Sequence, residues 1–395
     1  MLDRTLKIQK DYIAETEGRS TKVVNPLYNR NKLKLGIFGA NCDSGCAVTK
    51  VPERLKLTWE SAKAIAQAAD RAGIEVMVPV ARWKGLGGET NFNGRNFETY
   101  TWAAAVAAVT NHIAVTTTSH VQTTHPLFAA NQAATIDHIA RGRYCMNVVC
   151  GWYQPELEMF GADFMEHDRR YDYAEEWIEL VRRFWTETEE FSHTGDFFKI
   201  VNGIALPHPI QKPLPPIMNA GGSGRGQEFI ASNADISYIV IGDHEDMAAV
   251  KAQVEKCRAK SAEKGREIQV WTHAYVVHRD TDQEARAYQH HYCTKEANHE
   301  AVDTMAHFFG VNTNILPPDV WDGMKVHLAG GYAGFSLVGS AETIARRIKC
   351  LSEAGIDGVS IHWVDYLQGL ERFEREVMPL LEQEGLRERF NPRQL

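Results

Sequence analysis

The stretch from Ile113 to Trp152, IAVTTTSHVQTTHPLFAANQAATIDHIARGRYCMNVVCGW, carries the pattern that decides the fold. Its two ends, Ile113–Ser119 and Tyr144–Cys150, are near-continuous β-type runs, as expected for strands that are covered on both faces. Between them, Pro126–Ala140 is a helical run of the same kind as Ser61–Ala72, which is rich in alanine and is terminated by Gly73. The stretch therefore predicts a strand, a helix and a second strand in succession.

The same alternation continues along most of the chain. The β-type runs are Leu33–Phe38, Ile74–Val80, Ile113–Ser119, Tyr144–Cys150, Pro216–Ala220, Ile236–Ile241, Gln269–Val277 and Gly358–Trp363. The helical runs are Ser61–Ala72, Ala103–Thr110, Pro126–Ala140, Tyr171–Thr186 and Ala341–Ala354. Eight strands that alternate with helices predict an α/β protein with a (β/α)8 TIM barrel. A doubly wound open sheet is the alternative, but no Gly-x-Gly-x-x-Gly follows the first run.

Three boundaries follow from this rhythm. Residues 1–32 are polar and without a clear period, and are interpreted as an N-terminal arm that packs on a neighbouring subunit. Residues 33–385 are predicted to form one barrel domain, and residues 386–395 a C-terminal tail. Residues from about 280 to 335 break the rhythm after the seventh strand and predict an insertion that serves as a lid or binding loop.

Composition limits the classes of function. The 395 residues are 44% hydrophobic and 24% charged, with 43 Lys and Arg against 51 Asp and Glu, as in an ordinary globular protein. The net charge of −8 gives no general attraction for nucleic acid. No apolar run reaches the roughly 18 residues of a membrane helix, and the polar start lacks a signal peptide. Seven scattered cysteines fit a reducing compartment, so a cytoplasmic protein is expected.

In a barrel the chemistry lies at the carboxyl ends of the strands. The third run ends Val115-Thr116-Thr117-Thr118-Ser119-His120, where a hydroxyl that points inward can bond a ligand, although threonine is also simply a good strand former. In the fourth run, Asn147 is an amide inside an apolar strand, and it either binds a ligand or satisfies neighbouring backbone.

The stretch Ala220–Gly226, which follows the fifth run, is the candidate phosphate site, with a plain glycine-rich turn as the alternative. Arg169 or Arg170, at the start of a helix, could grip a phosphate or cap the helix. Neither a His-Glu-x-x-His motif nor a convincing cysteine pair occurs, so no metal is expected. The residues alone thus predict a barrel with one phosphate-bearing ligand, but they name no reaction.

As a set, several segments resemble the bacterial luciferase-like flavin monooxygenases, and within them the subgroup that holds the pyrimidine and dimethyl sulfone monooxygenases. The matching segments are Lys84–Phe92, Ala134–His138, Gly142-Arg143, Asn147–Trp152, His167–Tyr173, Gly195–Phe198 and Ala220–Ser223. The resemblance runs from about Leu33 to Leu381. The segment Gly330–Phe335 matches neither enzyme, so the resemblance does not transfer a substrate.

The resemblance implies a two-component monooxygenase. Reduced FMN (FMNH2) would come from a separate NAD(P)H:flavin reductase, and O2 would be the co-substrate. A small organic substrate, either a heterocycle or amide or an organosulfur compound, would be oxygenated or cleaved through a flavin peroxide. The resemblance also implies a homodimer or homotetramer. The rival functions are an F420-dependent dehydrogenase of the same superfamily, an O2-using flavin-dependent lyase, a flavin-binding protein without turnover, and a barrel hydrolase or isomerase without flavin.

The same resemblance assigns roles to individual residues. Thr118, Asn147 and Trp152 are the implied catalytic residues: the first two face the flavin ring, and the third keeps the pocket dry. The implied cofactor-binding residues are Ala81, Arg82, Thr118, Asn147, Glu156, Arg170, Tyr171, Gly221, Gly222 and Ser223. Of these, Ala81 and Arg82 line the flavin, Glu156 lies beside its polar side, and the last five hold the phosphate end.

Overall fold

The computed structural model describes residues 25–241, 246–311 and 317–391. Its strands are β1 (Lys34–Phe38), β2 (Val76–Val78), β3 (Ala114–His120), β4 (Tyr144–Val149), β5 (Phe191–Thr194), β6 (Lys199–Gly203), β7 (Ile217–Asn219), β8 (Ile236–Tyr238), β9 (Gln269–His278), β10 (Phe335–Gly339) and β11 (Gly358–His362). Its α-helices are α1 (Trp59–Arg71), α2 (Thr99–Ala108), α3 (Pro126–Ile139), α4 (Gln154–Met159), α5 (His167–Thr186), α6 (Gly224–Asn233), α7 (Met247–Glu263), α8 (Asp282–His290), α9 (His299–Phe308), α10 (Pro318–Gly331), α11 (Ala341–Glu353), α12 (Tyr366–Glu376) and α13 (Met378–Gln383).

Eight parallel strands close into a barrel, which confirms the predicted (β/α)8 fold. Their order is β1, β2, β3, β4, β7, β8, β9 and β11, and β11 pairs back onto β1 from Lys34↔Gly358 to Ile37↔Ile361. The tenth strand, β10, lies outside this ring and pairs with the upper half of β9, from Phe335↔Ala274 to Gly339↔His278. Eight strands enclose an interior that side chains can just fill, so the barrel is a packed core with no central channel.

Alternate side chains of the barrel strands fill that interior. The buried set is Leu27, Val76, Val78, Ala114, Cys145, Met218, Ile236, Tyr238 and Trp271. The remaining strand positions face the surrounding helices in a separate, larger apolar cluster. Both faces are therefore apolar, which is why the strands read as continuous β-type runs in the sequence.

The strand ends differ from the predicted runs where side chains take over the backbone hydrogen bonds. The predicted run Ile74–Val80 is shortened to Val76–Val78, and at its carboxyl end Asn41 pairs with the backbone of Val80. Its Nδ2 donates to the Val80 carbonyl and its Oδ1 accepts from the Val80 N–H, each at 2.8 Å. The antiparallel hairpin of β5 and β6 is mostly exposed, so it lacks the apolar signal that predicted the barrel strands.

Part of the predicted arm is the floor of the barrel. Leu27 is fully buried at the interior cluster, and its carbonyl accepts a hydrogen bond from Gln269 Nε2 at 2.8 Å. Asn25 Nδ2 donates to the carbonyl of Tyr144 at 3.1 Å. Residues 25–32 therefore pack on the barrel of their own chain, while residues 1–24 of the predicted arm lie outside the described residues.

A buried ion pair joins this floor to the end of the chain. Glu75 Oε2 accepts from Arg387 Nη1 and from the Leu35 N–H, each at 2.7 Å, while Oε1 accepts from Asn29 Nδ2 at 2.8 Å and Asn31 Nδ2 at 2.6 Å. Neither charged side chain exposes more than 1% of its surface. Residues 386–391 of the predicted tail thus belong to the packed barrel, and residues 392–395 lie outside the described residues.

The insertion after the seventh barrel strand forms a roof over the carboxyl ends of the strands. Its helices α8, α9 and α10 share a buried apolar cluster with Leu86, Phe92 and Tyr153, which follow β2 and β4. Backbone bonds fix it to the loop after β1, because the Val48 N–H donates to the Ala329 carbonyl at 2.9 Å and the Asn298 N–H donates to the Val48 carbonyl at 3.0 Å. Residues 312–316 of this insertion lie outside the described residues.

Replacing Arg387 by alanine is expected to lower the free energy of unfolding by roughly 3–5 kcal/mol, because the Glu75 carboxylate would remain buried without its cation. Urea unfolding of the wild type and the variant measures the difference. Arg389→Ala is the matched control, since Arg389 is exposed two residues further on. Equal losses for the two variants would contradict a structural role for the Glu75–Arg387 pair.

Candidate active site at the barrel mouth

Side chains of β3 point alternately out of and into the barrel, so some of its hydroxyl groups pack against the surrounding structure and others face the site. Thr117 Oγ1 pairs with the Tyr144 hydroxyl at 2.6 Å, and Ser119 Oγ pairs with the Tyr100 hydroxyl at 2.6 Å, both outside the barrel. Thr118 and His120, on the opposite face of the strand, therefore point toward the barrel interior and its mouth. Of the four hydroxyl residues seen in the sequence, Thr118 is the one placed next to Asn147.

Thr118 and Asn147 are direct neighbours in the β3–β4 register. Thr118 Oγ1 donates to the Pro79 carbonyl at 2.7 Å, and Asn147 Nδ2 donates to Thr118 Oγ1 at 3.2 Å. The second amide atom, Asn147 Oδ1, is buried and has no partner in the described part of the chain. A buried acceptor without a donor is costly, so this atom is suited to an N–H group of a bound molecule.

Arg82 and Glu156 form a buried ion pair at the same mouth. Arg82 Nη1 donates to Glu156 Oε1 at 3.3 Å, and that oxygen also accepts from the N–H groups of Trp83 at 2.7 Å and Lys84 at 3.2 Å. The side chains of Arg82 and Glu156 are 3% and 1% exposed. The Arg82 guanidinium also lies 4.7 Å from the ring centroid of Trp152, a cation–π contact. The loops after β2 and β4 are thus held together by one carboxylate.

Ala81 and Trp152 complete this part of the mouth. Ala81 is half-buried directly before Arg82. The Trp152 ring packs 5.6 Å from Tyr153 and 5.3 Å from Phe309 of the insertion, centroid to centroid. The predicted residues Ala81, Arg82, Trp152 and Glu156 therefore lie together, and the roof contacts them through Trp152.

A second polar cluster lies at the ends of β7 and α5. Ser223 caps α6, because its Oγ accepts from the Gly226 N–H at 3.0 Å. The Gly221 N–H donates to Asn219 Oδ1 at 2.8 Å, and a Cβ on Gly221 would lie 3.0 Å from the Tyr171 hydroxyl. A Cβ on Gly222 would have no atom within 4 Å, so open space lies beside the N-terminus of α6. Open N–H groups at a helix N-terminus suit an anion.

The arginines near this cluster have different partners. Arg170 donates to the Gly151 carbonyl, so it ties α5 to the end of β4, and its Nε has no partner among the described residues. Arg169 lies over the Phe197 ring, 4.9 Å from its centroid. Arg225 forms ion pairs with Asp172 and Glu175 at 2.9 Å each. Of the two candidates from the sequence, Arg170 is the one that faces the mouth side of α5.

Three histidines at the mouth were not found from the sequence. Burial lowers the pKa of His120 and His273 to about 4 and that of His362 well below its ordinary value, so all three are neutral at pH 7. His273 Nε2 lies 3.1 Å from the Tyr332 carbonyl, which belongs to the turn that closes α10. The signal available in the sequence was position: His120 falls two residues after Thr118 and hence on the same strand face.

Metal ligation and membrane insertion find no support in the parts of the chain described. Across residues 25–241, 246–311 and 317–391, no group of three or more His, Cys, Asp or Glu side chains could hold a metal ion. Within the same ranges, no helix has both the length and the apolar character needed to cross a bilayer.

The closed barrel and the polar groups at its mouth define the class as a (β/α)8-barrel enzyme, and the comparisons identify the family. Residues 34–358 match the family model described as luciferase-like monooxygenase. The chain belongs to this family, as the sequence motifs predicted.

Two curated relatives cover nearly the whole chain. The FMNH2-dependent dimethylsulfone monooxygenase of Pseudomonas putida is 32% identical over 364 residues, which is 89% of this chain and 97% of the relative. The pyrimidine monooxygenase RutA of Cronobacter turicensis is 29% identical over 376 residues, which is 92% of this chain and 96% of the relative. Both belong to the subgroup that the sequence resembles.

Solved structures support the same fold. A riboflavin lyase (RcaE) superposes with a TM-score of 0.79 at 22% identity, covering 90% of this chain and 93% of that one. DmoA from Hyphomicrobium sulfonivorans superposes with a TM-score of 0.78 at 20% identity, covering 92% and 91%. At these identities the likeness concerns the fold only.

His273 is expected to make stability depend on pH. Between its ordinary pKa of 6.5 and its folded value of about 4, the unfolded chain binds a proton that the folded chain does not, so stability falls as the pH drops through this window. The wild type should therefore lose roughly 1.6 kcal/mol more than His273→Gln between pH 6.5 and pH 5. Urea unfolding at both pH values measures this, with His299→Gln at an exposed position as control. Parallel losses in all three proteins would contradict a buried neutral His273.

Proposed function

We propose that the chain is the oxygenase of a two-component system that takes reduced FMN from a separate NAD(P)H:flavin reductase and uses O2 to oxygenate or cleave a small organic substrate. The observation that carries this proposal is a pair of complementary subsites at one mouth. Asn147 Oδ1 is a buried acceptor without a donor, and Gly222 leaves open space at the N-terminus of α6. A ring N–H and a phosphate on one molecule would satisfy both.

The residues present fit FMN on chemical grounds. The cradle of Gly221, Gly222 and Ser223 offers backbone N–H groups and a helix N-terminus to a phosphate. Thr118 holds the Asn147 amide in place through a hydrogen bond, so Asn147 Oδ1 is a fixed acceptor for an N–H group of the flavin ring. When bound and reduced, FMN supplies the activation of O2 and the electrons for its cleavage.

The chain's own contribution is binding, orientation and the exclusion of water. Trp152, Phe92 and the insertion helices cover the mouth with apolar side chains, which strengthens each hydrogen bond beneath them. The Arg82–Glu156 pair holds the covering loops in one arrangement. No side-chain nucleophile is required by this proposal, since the cofactor carries the chemistry.

The proposal also covers the class of substrate, the oligomeric state and the cellular location. The named relatives act on dimethylsulfone and on a pyrimidine, so we propose a heterocycle, an amide or an organosulfur compound as the substrate class. The expectations of a homodimer or homotetramer, and of a cytoplasmic site, stay predictions.

An anaerobic binding titration tests the cofactor. Reduced FMN is expected to bind more tightly than riboflavin, because only FMN carries the phosphate for the cradle at α6. Binding of F420 alone would assign the chain to the deazaflavin-dependent dehydrogenases, and binding of neither cofactor would overturn the proposal. With a substrate found by screening, incorporation of ¹⁸O from ¹⁸O2 separates oxygenation from an O2-dependent lyase reaction.

Two variants of Gly222 locate the phosphate within that titration. Gly222→Asp places a negative charge in the open space and is expected to weaken FMN binding at least about tenfold while leaving riboflavin binding nearly unchanged. Gly222→Ala is the matched control, since its Cβ meets no atom within 4 Å. If Asp and Ala give the same affinity for FMN, the phosphate does not bind at this cradle.

Asn147→Ala is expected to retain the fold and to uncouple NADH consumption from product formation. In a reductase-coupled assay, the product formed per NADH should fall about tenfold, the effect of one lost hydrogen bond of about 1.4 kcal/mol, with H2O2 released instead. Asn131→Ala, on the exposed face of α3, is the control. A normal product yield from Asn147→Ala would remove Asn147 from the site.

A further inference from the structure

His120 has no role in the proposed function. It lies on the inward face of β3, two residues after Thr118. Only 6% of the surface of His120 is exposed. Nδ1 of His120 is fully enclosed and has no hydrogen-bond partner within the described residues. A buried imidazole that lacks a hydrogen bond at the mouth of a barrel is suited to a bound molecule, because burying an unsatisfied polar atom is costly.

The group that faces Nδ1 is the free oxygen of Glu156. Glu156 Oε1 is fully used, because it accepts from Arg82, Trp83 and Lys84. Glu156 Oε2 is buried without a hydrogen-bond partner and lies 3.7 Å from His120 Nδ1. This separation is longer than a hydrogen bond, and such contacts at active sites commonly shorten when a ligand binds.

This contact favours a proton on Nδ1 of His120. An ionised carboxylate accepts hydrogen bonds and cannot donate them. The favourable neighbour for Glu156 Oε2 is therefore a protonated His120 Nδ1. In a neutral imidazole the other nitrogen, Nε2, then has a lone pair and acts as an acceptor. The charged groups that act on the ring are Glu156 and Arg82, and burial together with Arg82 keeps it neutral at pH 7.

We propose that His120 Nε2 accepts a hydrogen bond from the substrate, so that the enzyme selects substrates with an N–H or O–H donor over those with acceptors only. This inference rests on the proposed function, because it takes the mouth to be the substrate site. An amide, a lactam or a sulfonamide offers such a donor. A sulfone offers only oxygen acceptors, and it would leave Nε2 unpaired.

The charged groups beside His120 are already paired with each other, which is consistent with a neutral substrate. Arg82 is committed to Glu156, and His120, His273 and His362 are neutral. The guanidinium of Arg82 is therefore not free to pair with a carboxylate or sulfonate group of a substrate beside His120. His120 would therefore select substrates by their hydrogen-bond donors and not by their charge.

The first test is the tautomer, which needs neither cofactor nor turnover. ¹⁵N-labelled histidine in the whole protein is observed by NMR, and His120→Gln assigns its signals. We expect Nδ1 to be protonated and Nε2 to be unprotonated at pH 7. In Glu156→Gln the proton should redistribute between the two nitrogens. A wild-type His120 protonated at Nε2 would overturn the proposal.

The second test compares two probes of nearly the same shape. Methanesulfonamide carries an N–H donor where dimethyl sulfone carries a methyl group. In the presence of FMN, the wild type is expected to bind methanesulfonamide about five to ten times more tightly than dimethyl sulfone, the effect of one net hydrogen bond. Uracil against 1,3-dimethyluracil repeats the comparison with a heterocycle.

Variants separate the possible failures. His120→Phe should bring each donor probe to the affinity of its methylated partner, His120→Gln should restore part of the preference through its carbonyl oxygen, and the exposed control His299→Gln should behave as the wild type. If FMN binds and the wild type does not prefer donors, this inference fails while the proposed function stands. If FMN does not bind, the proposed function itself fails.

Discussion

One buried carboxylate, Glu156, organises the mouth of the barrel. Placing a charge in a water-free site is costly unless hydrogen bonds and an opposite charge surround it. Glu156 meets this requirement by collecting Arg82 and two backbone N–H groups on one oxygen, and the loops after β2 and β4 are held in a single arrangement as a result. The stacking of Arg82 on Trp152, and through Trp152 the contact with Phe309 of the insertion, depends on that arrangement. The loops that line the site are therefore held in place by the groups that surround the Glu156 carboxylate.

The barrel supplies what this arrangement needs, which is a rigid floor and strands that end at the same level. The interior below the mouth is filled by apolar side chains, from Leu27 at the bottom to Tyr238 near the top. Above them, the period of two along β3 and β4 brings Thr118, His120 and Asn147 to one surface. The phosphate cradle comes from a different element, the capped N-terminus of α6. In the proposed function, strand ends would orient the ring of the bound cofactor, while a helix end would bind its phosphate.

The parts predicted from sequence were those with a local signal. Strands covered on both faces read as apolar runs, so the eight barrel strands, and with them the positions of Thr118 and Asn147, could be placed. The glycines around Ser223 favoured a turn at the N-terminus of α6 because backbone freedom depends on residue type, and its use as a phosphate site stays a prediction. The floor at Leu27 and the Glu75–Arg387 pair could not be predicted, since their partners lie hundreds of positions apart in the chain. His120 was missed because its significance lies in what it lacks, a hydrogen-bond partner, and a sequence does not record that.

The Glu75–Arg387 pair also bears on how the protein is made. During synthesis β1 leaves the ribosome long before β11, its eventual neighbour, and more than 300 residues before the arginine that neutralises Glu75. Until then the nascent chain carries an open strand edge and an unpaired carboxylate that cannot yet be buried. The ring closes only after translation of its last segment, so folding of this barrel is largely post-translational. The edge of β1 that will pair with β11 is therefore open to other chains until β11 has been synthesised.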